Sequence, residues 1–175
     1  MTSPEPLDAE RLRTLAGNHA AELTRYTTGL LGGDDASARD VVQDAFVRLW
    51  RKPPPDGSQL RAWLFAVCRS RAIDLLRRRG RQVDDDGGLI ARSVAESPSP
   101  DAALAAGDTA AALFALVDTL PPRHAEVVRL KFRDDLSYAE IADVTGLTAT
   151  NVGFILHTAL KTLRERLSRR PDLLP

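Results

Sequence analysis

The fold of the C-terminal half is decided by residues 136–152, which read LSYAEIADVTGLTATNV. Ser137 and Glu140 fit the S-x-x-E capping box, in which each side chain satisfies the other residue's free backbone amide at the start of a helix. Gly146 is a suitable end for that short helix, and Thr148 is a suitable N-cap for the next one. The stretch therefore predicts two helices joined by a tight turn.

The spacing of three positions predicts that these two helices cross as a helix-turn-helix. Ala142 is small enough for a close approach, Gly146 allows the turn, and Val152 anchors the second helix in the core. An ordinary helical hairpin is the alternative interpretation. The other helices predicted in this half are Thr109 to Leu120, which Pro121-Pro122 ends, Arg123 to Phe132, and the long helix that runs to about Ser168.

Apolar residues spaced three and four apart predict three helices in the N-terminal half. The first starts near Leu12 and ends near Gly32-Gly33. The second has Asp34 as its N-cap and ends at Pro53-Pro54-Pro55, because proline lacks an amide hydrogen and clashes with the preceding turn. The third starts at Ser58, and its predicted buried face comprises Leu60, Leu64, Val67, Cys68, Ala72 and Leu75.

The segment between the two halves has the composition of a linker. It contains Asp84-Asp85-Asp86-Gly87-Gly88 and Ser97-Pro98-Ser99-Pro100 and lacks a regular apolar period. Strand signals are negligible. The sequence therefore predicts an all-α chain of two small helical domains, a helical bundle over residues 8–82 and a helix-turn-helix domain over residues 108–170, joined by an acidic flexible linker over residues 83–107.

Composition excludes several classes of protein. The apolar fraction of 43% and the charged fraction of 27% are normal for a soluble globular chain, and the longest apolar runs are too short to span a bilayer. The N-terminus lacks the basic start and apolar stretch of a secretory signal. The single cysteine, Cys68, excludes an internal disulfide and indicates a reducing, cytoplasmic setting. It falls on an apolar helix face, where we expect it to pack.

The chain carries no motif for catalysis or metal binding. It has no phosphate-binding glycine loop, no HExxH and no credible nucleophile–base pair. The three histidines, at positions 19, 124 and 157, do not cluster with the cysteine as zinc ligands would. We therefore expect no enzymatic activity, no cofactor, no metal and no small-molecule substrate.

Charge is balanced over the whole chain but unevenly distributed. There are 24 basic and 24 acidic side chains, yet residues 61–82 hold seven basic and one acidic, while residues 83–120 hold one basic and seven acidic. A local basic patch attracts a polyanion whatever the net charge. Trp63 and Phe65 lie among these arginines, and such rings stack on unpaired bases. Contact with nucleic acid is one interpretation; a solvated basic face with Trp63 in the core is the other.

Five segments, in a fixed order around the acidic linker, carry a resemblance to a known family. They are DVVQDAFVRLW at 40–50, LRAWL at 60–64, AIDLLRRR at 72–79, LPPR at 120–123 and LSYAEIA at 136–142. They resemble parts of an extracytoplasmic-function (ECF) sigma factor of the bacterial sigma-70 family. The first segment resembles its polymerase-binding helix, the second and third its promoter-melting and −10 recognition region, and the last two the start of its −35-binding domain. The resemblance covers roughly residues 20–82 and 109–168.

The resemblance implies a function and partners. Such a factor binds core RNA polymerase and directs promoter-specific transcription initiation in the cytoplasm, without membrane insertion. The implied partners are core RNA polymerase and promoter DNA, and relatives are often held inactive by an anti-sigma protein. The linker would run through the polymerase toward the RNA exit path.

The resemblance also implies site residues. For the core-polymerase surface they are Asp40, Gln43, Asp44 and Arg48, supported from inside by Phe46 and Trp50. For the −10 element they are Arg61, Trp63, Arg69, Arg71, Arg77 and Arg78, with the loop over residues 53–59 beside an extruded base. For the −35 element they are Arg123, Thr148, Thr150, Asn151, Phe154, His157 and Lys161.

The second helix of the helix-turn-helix departs from the family pattern. Relatives usually carry several basic residues where this chain has Gly153, Ile155, Thr158 and Leu160. Base reading would rely on hydroxyls, on Asn151 and His157, and on contact between Phe154 and a thymine methyl. Phosphate contact would fall to Arg123, Arg129, Lys131, Arg133, Lys161 and Arg164.

Three alternatives remain open at this point. The first is that another protein binds an apolar patch made of Phe154, Ile155 and Leu160. The second is that Ile155 and Leu160 simply enlarge the core. The third alternative is a stand-alone helix-turn-helix regulator that binds duplex DNA without polymerase, usually as a dimer on a palindrome. The sparsely basic second helix argues against that third interpretation.

Overall fold

The computed structural model describes residues 8–54, 59–80 and 109–169, and in those ranges all regular secondary structure is helical. This confirms the predicted all-α class. The chain divides into two compact units, one with the first three helices and one with most of the remaining four. The helices are α1 (Ala9–Leu30), α2 (Asp35–Arg51), α3 (Leu60–Arg78), α4 (Thr109–Val117), α5 (Pro122–Phe132), α6 (Tyr138–Thr145) and α7 (Ala149–Ser168).

In the first unit, α1, α2 and α3 pack against one another around one apolar core. The Tyr26 and Phe65 rings meet with centroids 5.0 Å apart and planes tilted by 55°, a favourable aromatic arrangement. Burial of such side chains is the largest favourable contribution to folding, about 1.5–3 kcal/mol for each large one. The fully buried large side chains are Leu23, Leu31, Leu49, Leu64 and Phe65.

The turn between α1 and α2 forms as the sequence predicts. Gly32 and Gly33 have φ angles of 68° and 90°, a left-handed conformation that glycine adopts without a Cβ penalty. The Asp34 carboxylate then caps α2 by accepting a hydrogen bond from the Ser37 backbone N–H at 3.0 Å. That bond first, and the Arg79 guanidinium second, lower the pKa of Asp34 to about 2.

Three expectations for the N-terminal half need correction or fall outside the described residues. Trp50 does not support α2 from inside, because its side chain is 58% exposed; it is rotated about 100° from buried Leu49 and lies at the border of the apolar stripe. Arg69 does not belong to the exposed face of α3, since it is 8% exposed. The predicted start at Ser58 lies outside the described residues, and the described α3 begins at Leu60.

In the second unit, α5 and α7 make the most extensive helix contact. The capping box is confirmed: the Ser137 N–H donates to Glu140 Oε2 at 2.7 Å, and the Glu140 N–H donates to Ser137 Oγ at 3.2 Å. Gly146 follows α6 with a φ of 73°, and Thr148 Oγ1 accepts from the Asn151 N–H at 3.2 Å. The core of this unit includes Val127, Leu130, Leu136, Ile141 and Val152, all fully buried.

Helix α4 is shorter than predicted. It ends at Val117 rather than at Leu120, and the Thr119 hydroxyl then donates to the Leu116 carbonyl at 2.6 Å. This local bond satisfies a carbonyl that the helix end leaves free. The predicted linker over residues 83–107 lies outside the described residues. None of the described helices is both long and apolar enough to cross a membrane.

Candidate nucleic-acid interface

The outer face of α2 presents the residues expected at the polymerase surface. Because α2 buries one stripe against α1 and α3, positions on its other side face outward. Val47, which the sequence analysis did not single out, shares this face and is 38% exposed. Its signal in the sequence is its position seven residues after Asp40. The exposed side chains predicted for this surface are Asp40, Gln43, Asp44 and Arg48.

An ion pair connects this face to α3. Asp44 Oδ2 lies 3.1 Å from Arg71 Nη2, and the two side chains are 59% and 43% exposed. An exposed pair of this kind contributes roughly 0–1 kcal/mol to stability. Its importance is positional, because it joins a residue predicted to face polymerase to one predicted to face DNA.

The C-terminal half of α3 presents an exposed basic surface. Arg77 lies 4.0 Å from Asp74, and Arg79 pairs with the Asp34 carboxylate at 2.8 Å. Arg78 is exposed and makes no ion pair with any residue in the described ranges. Arg71, Arg77 and Arg78 are therefore displayed to solvent, whereas Arg69 lies inside.

Burial of Arg69 has a signal in the sequence. It lies four residues after Phe65, three before Ala72 and seven before Leu76, which is the spacing of one helix face. All three of those side chains are buried. The predicted buried face of α3 omits Arg69, because residue type was weighed above helix angle.

The N-terminal turn of α3 holds Arg61 in a network with α1. Arg61 Nε and Nη2 donate to Glu22 Oε1 and Oε2 at 3.1 and 2.7 Å, and His19 Nδ1 lies 2.7 Å from Glu22 Oε1. Burial raises the pKa of the Glu22 carboxyl, but the hydrogen bonds from Arg61 and His19 outweigh it, so the pKa is lowered overall. Trp63, two residues after Arg61, is partly exposed.

Helix α7 presents an outward stripe with little charge. Phe154 is 70% exposed, and Thr150, His157 and Lys161 are exposed on the same helix face. Thr148 and Asn151 are also exposed at the start of the helix. All of these positions except Lys161, which is predicted to contact phosphate, are those predicted to read bases.

The burial of Ile155 and Leu160 bears on two of the open alternatives, the apolar patch for another protein and the enlarged core. Ile155 is buried, so it belongs to the core and not to an exposed patch, while Leu160 is 39% exposed at the rim. The ring of Tyr138 lies beside Gly153, 3.5 Å from where a Cβ would be. Phe154 therefore forms the exposed apolar feature without Ile155.

Two of the arginines expected to contact phosphate are engaged within this unit. Arg129 pairs with Asp118, and Arg133 pairs with Asp134 at 3.0 Å. Arg123 is half-buried, while Lys161 and Arg164 are exposed. The exposed cations closest in sequence to the outward stripe of α7 are thus Lys161 and Arg164.

Burial changes the properties of the single cysteine and of one histidine. Cys68 is fully buried, and that burial raises the pKa of its thiol to about 12, so it is unreactive and packs as expected. Burial likewise lowers the pKa of His124. Within the described ranges, no three His, Cys, Asp or Glu side chains are grouped as metal ligands.

Comparison with known proteins agrees with these two units. The Sigma-70 region 2 family model matches residues 15–82, and the Sigma-70, region 4 model matches residues 110–163. The ECF RNA polymerase sigma factor SigL of Mycobacterium tuberculosis is 36% identical over 160 residues, which cover 90% of this chain and 89% of that protein.

Two further relatives are more distant. SigE of Mycolicibacterium smegmatis is 29% identical over 89% of this chain and 61% of its own length, and SigM of Bacillus subtilis is 25% identical over 78% and 83%. Matches to both regions favour an initiation factor over a stand-alone regulator, and this family is not enzymatic. The chain therefore belongs to the sigma-70 family, as an extracytoplasmic-function sigma factor that binds core RNA polymerase and directs it to promoters.

Proposed function

We propose that the outer face of α2 is the surface that binds core RNA polymerase. Asp40, Gln43, Asp44 and Arg48 are exposed together on this face, over a stripe that is buried in the unit. Substituting exposed side chains of this kind changes the stability of the unit little. The charges on this face can therefore contribute to binding without contributing to the fold. Val47 adds apolar area, and Trp50 at its border adds more, as interface centres favour large apolar side chains.

The exposed face of α3 is proposed to hold the opened −10 element. Trp63 lies on the same side of the helix as Arg77 and Arg78, since positions 77 and 78 fall about 40° and 60° to either side of position 63 at 100° per residue. An extruded base would stack on Trp63, offsetting an unstacking cost of a few kcal/mol. Arg71, Arg77 and Arg78 would hold the backbone phosphates. Arg69 lies inside and is not part of this surface.

The exposed stripe of α7 is proposed to read the −35 element. Thr150, Asn151 and His157 offer hydrogen-bonding groups to base edges, and Phe154 offers an apolar contact to a thymine methyl. Lys161 and Arg164 would contact phosphates, with Arg123 at the start of α5. Few cations lie on this helix, so this interaction would depend weakly on salt.

The same proposal extends to organisation and location. The functional boundaries are placed at residues 8–82 and 108–170, with the acidic linker 83–107 running toward the RNA exit path of the polymerase. Cytoplasmic location follows from the partners, because polymerase and promoter DNA lie there. An anti-sigma protein is a further expected partner, as in many ECF factors.

The observation that carries the proposal is the adjacency of two exposed surfaces in one small unit, linked by the 3.1 Å pair of Asp44 and Arg71. The direct test uses sigma-free core RNA polymerase and a library of promoter fragments. Variants altered on the α2 face should fail to co-elute with core, whereas variants altered on the α3 face should co-elute but open promoters poorly. Loss of core binding by the α3 variants alone would reverse the two assignments.

A further inference from the structure

Arg61 is held partly inside the first unit, unlike Arg71 and Arg77 of the same helix. Its guanidinium makes a two-pronged contact with the Glu22 carboxylate of α1, at 3.1 and 2.7 Å. It also lies over the Phe65 ring, 5.5 Å from the centroid. The Arg61 and Glu22 side chains are 31% and 18% exposed, against 43% for Arg71 and 57% for Arg77.

Helix geometry explains why Arg61 differs from its neighbours. It precedes buried Leu64, Phe65 and Cys68 by three, four and seven residues, so it shares their face of α3 and points toward α1. Its charge is matched by a carboxylate that remains ionised at neutral pH, because the pKa of Glu22 is lowered by Arg61 and His19 against the effect of burial. A guanidinium held this way presents little net charge to a phosphate.

The described start of α3 lacks a side-chain cap. Gln59, at the N-cap position, makes no side-chain capping hydrogen bond. The bidentate pair with Glu22 therefore fixes the first turn, since two parallel hydrogen bonds restrain orientation as well as distance. Trp63 belongs to this turn, only about 3 Å along the helix axis from Arg61.

We infer that Glu22 and Arg61 are positioning residues for Trp63, holding the first turn of α3 at the angle at which the ring meets the extruded −10 base. This rests on the proposed role of Trp63 in the −10 interaction. Arg61 then acts through α1 and the helix turn, not by touching DNA. His19 supports the same network by its contact with Glu22.

The two possible roles of Arg61 predict opposite effects of Glu22→Gln. If Arg61 contacted phosphate, loss of the Glu22 charge would free it and promoter opening would be unchanged or faster. If Glu22 and Arg61 position Trp63, opening slows by about tenfold, the size expected for a lost charge-assisted hydrogen bond. Exchanging the charges, with Glu22→Arg and Arg61→Glu together, would restore opening only in the positioning role.

The experiment uses the full chain bound to core polymerase on a promoter that the wild-type holoenzyme opens. Permanganate reactivity of unpaired thymines measures the opening rate, and titration with core measures affinity. Trp63 fluorescence in a Trp50→Phe background reports the ring's surroundings independently of DNA. Asp35→Asn is the matched control, because it removes an exposed ion pair with Arg39 in the same unit.

The expected result is slow opening by Glu22→Gln and by Arg61→Lys, a shifted Trp63 emission, unchanged core affinity, and recovery in the charge-exchanged double variant. Normal or faster opening by Glu22→Gln, while Trp63→Ala opens poorly, would overturn this inference alone. Normal opening by Trp63→Ala would overturn the proposed −10 role and this inference with it.

Discussion

The Asp44 carboxylate of α2 lies 3.1 Å from the Arg71 guanidinium of α3, so one exposed ion pair joins the two helices to which we assign polymerase binding and DNA binding. Neither residue is needed for the core, since both side chains are about half exposed. Substitutions here therefore report on interfaces and not on folding. This separation makes the functional assignments testable one surface at a time.

Asp44→Arg should abolish polymerase binding while the first unit stays folded. The substitution reverses a charge on the proposed interface, and a like-charge contact there costs several kcal/mol, or about 100-fold or more in affinity. The free energy of unfolding should change by no more than about 1 kcal/mol, because an exposed pair contributes little. Titration with core polymerase and urea unfolding measure the two quantities.

Asp35→Arg is a suitable comparison, since it reverses an exposed acid in the first turn of the same helix. Its affinity for core should remain near wild type. Unchanged affinity in Asp44→Arg would remove Asp44 from the interface.

Arg77→Ala with Arg78→Ala should weaken promoter opening and reduce its dependence on salt. Each arginine that neutralises a phosphate of single-stranded DNA contributes about 0.7 to the slope of log affinity against log salt concentration. The double variant should therefore lower that slope by about 1.4, measured from opening at several salt concentrations. Arg13→Ala with Arg39→Ala removes exposed arginines from α1 and α2 and should leave the slope unchanged. An equal slope in both double variants would refute the phosphate role.

Phe154→Ala should reduce recognition of the −35 element without destabilising the second unit. The ring is 70% exposed, so its loss costs the core little, whereas its contact with a thymine methyl would be worth roughly 1–2 kcal/mol, about tenfold in affinity. Holoenzyme affinity for promoter fragments measures this. Replacing the contacted thymine by uracil, which lacks the methyl, should weaken wild type and leave Phe154→Ala unaffected. If wild type and Phe154→Ala bound the thymine promoter and the uracil promoter with the same affinity, the contact would be excluded.

Asp34 should make the stability of the first unit depend on pH in the acid range. Its pKa is lowered to about 2 from 3.8 by the Ser37 backbone N–H and by Arg79. A lowered folded-state pKa means that the stabilisation is complete above the unfolded pKa and is lost as pH falls toward 2. Asp34→Asn keeps a capping oxygen but cannot titrate, so stability should fall less steeply below about pH 4. Urea unfolding at several pH values in that range measures how the free energy of unfolding changes with pH. The same dependence in wild type and Asp34→Asn would contradict the role of the carboxylate.

Much of the fold could be predicted because it depends on local sequence. Glycine pairs, proline and capping residues act within a few positions, so the Asp34 cap, the Ser137–Glu140 box and the Gly146 turn form where the sequence places them. The end of α4 was misjudged by three residues, because an alanine-rich stretch gives no sharp stop before Pro121.

The features that the sequence did not predict depend on which helices meet. Glu22 and Arg61 are 39 residues apart, and nothing near either one identifies the other as a partner. Arg69 and Trp50 were misassigned for a different reason, because residue type was weighed above helix angle. At 100° per residue, Arg69 falls among buried side chains and Trp50 at the border of its stripe.

The most direct test of the central claim is a combined binding and run-off transcription measurement with the purified chain, sigma-free core polymerase and a library of promoter fragments. Co-elution with core, together with transcripts that start at specific promoters only when the chain is present, is the predicted result. Failure to bind core, with specific retention of duplex DNA by the chain alone, would contradict it.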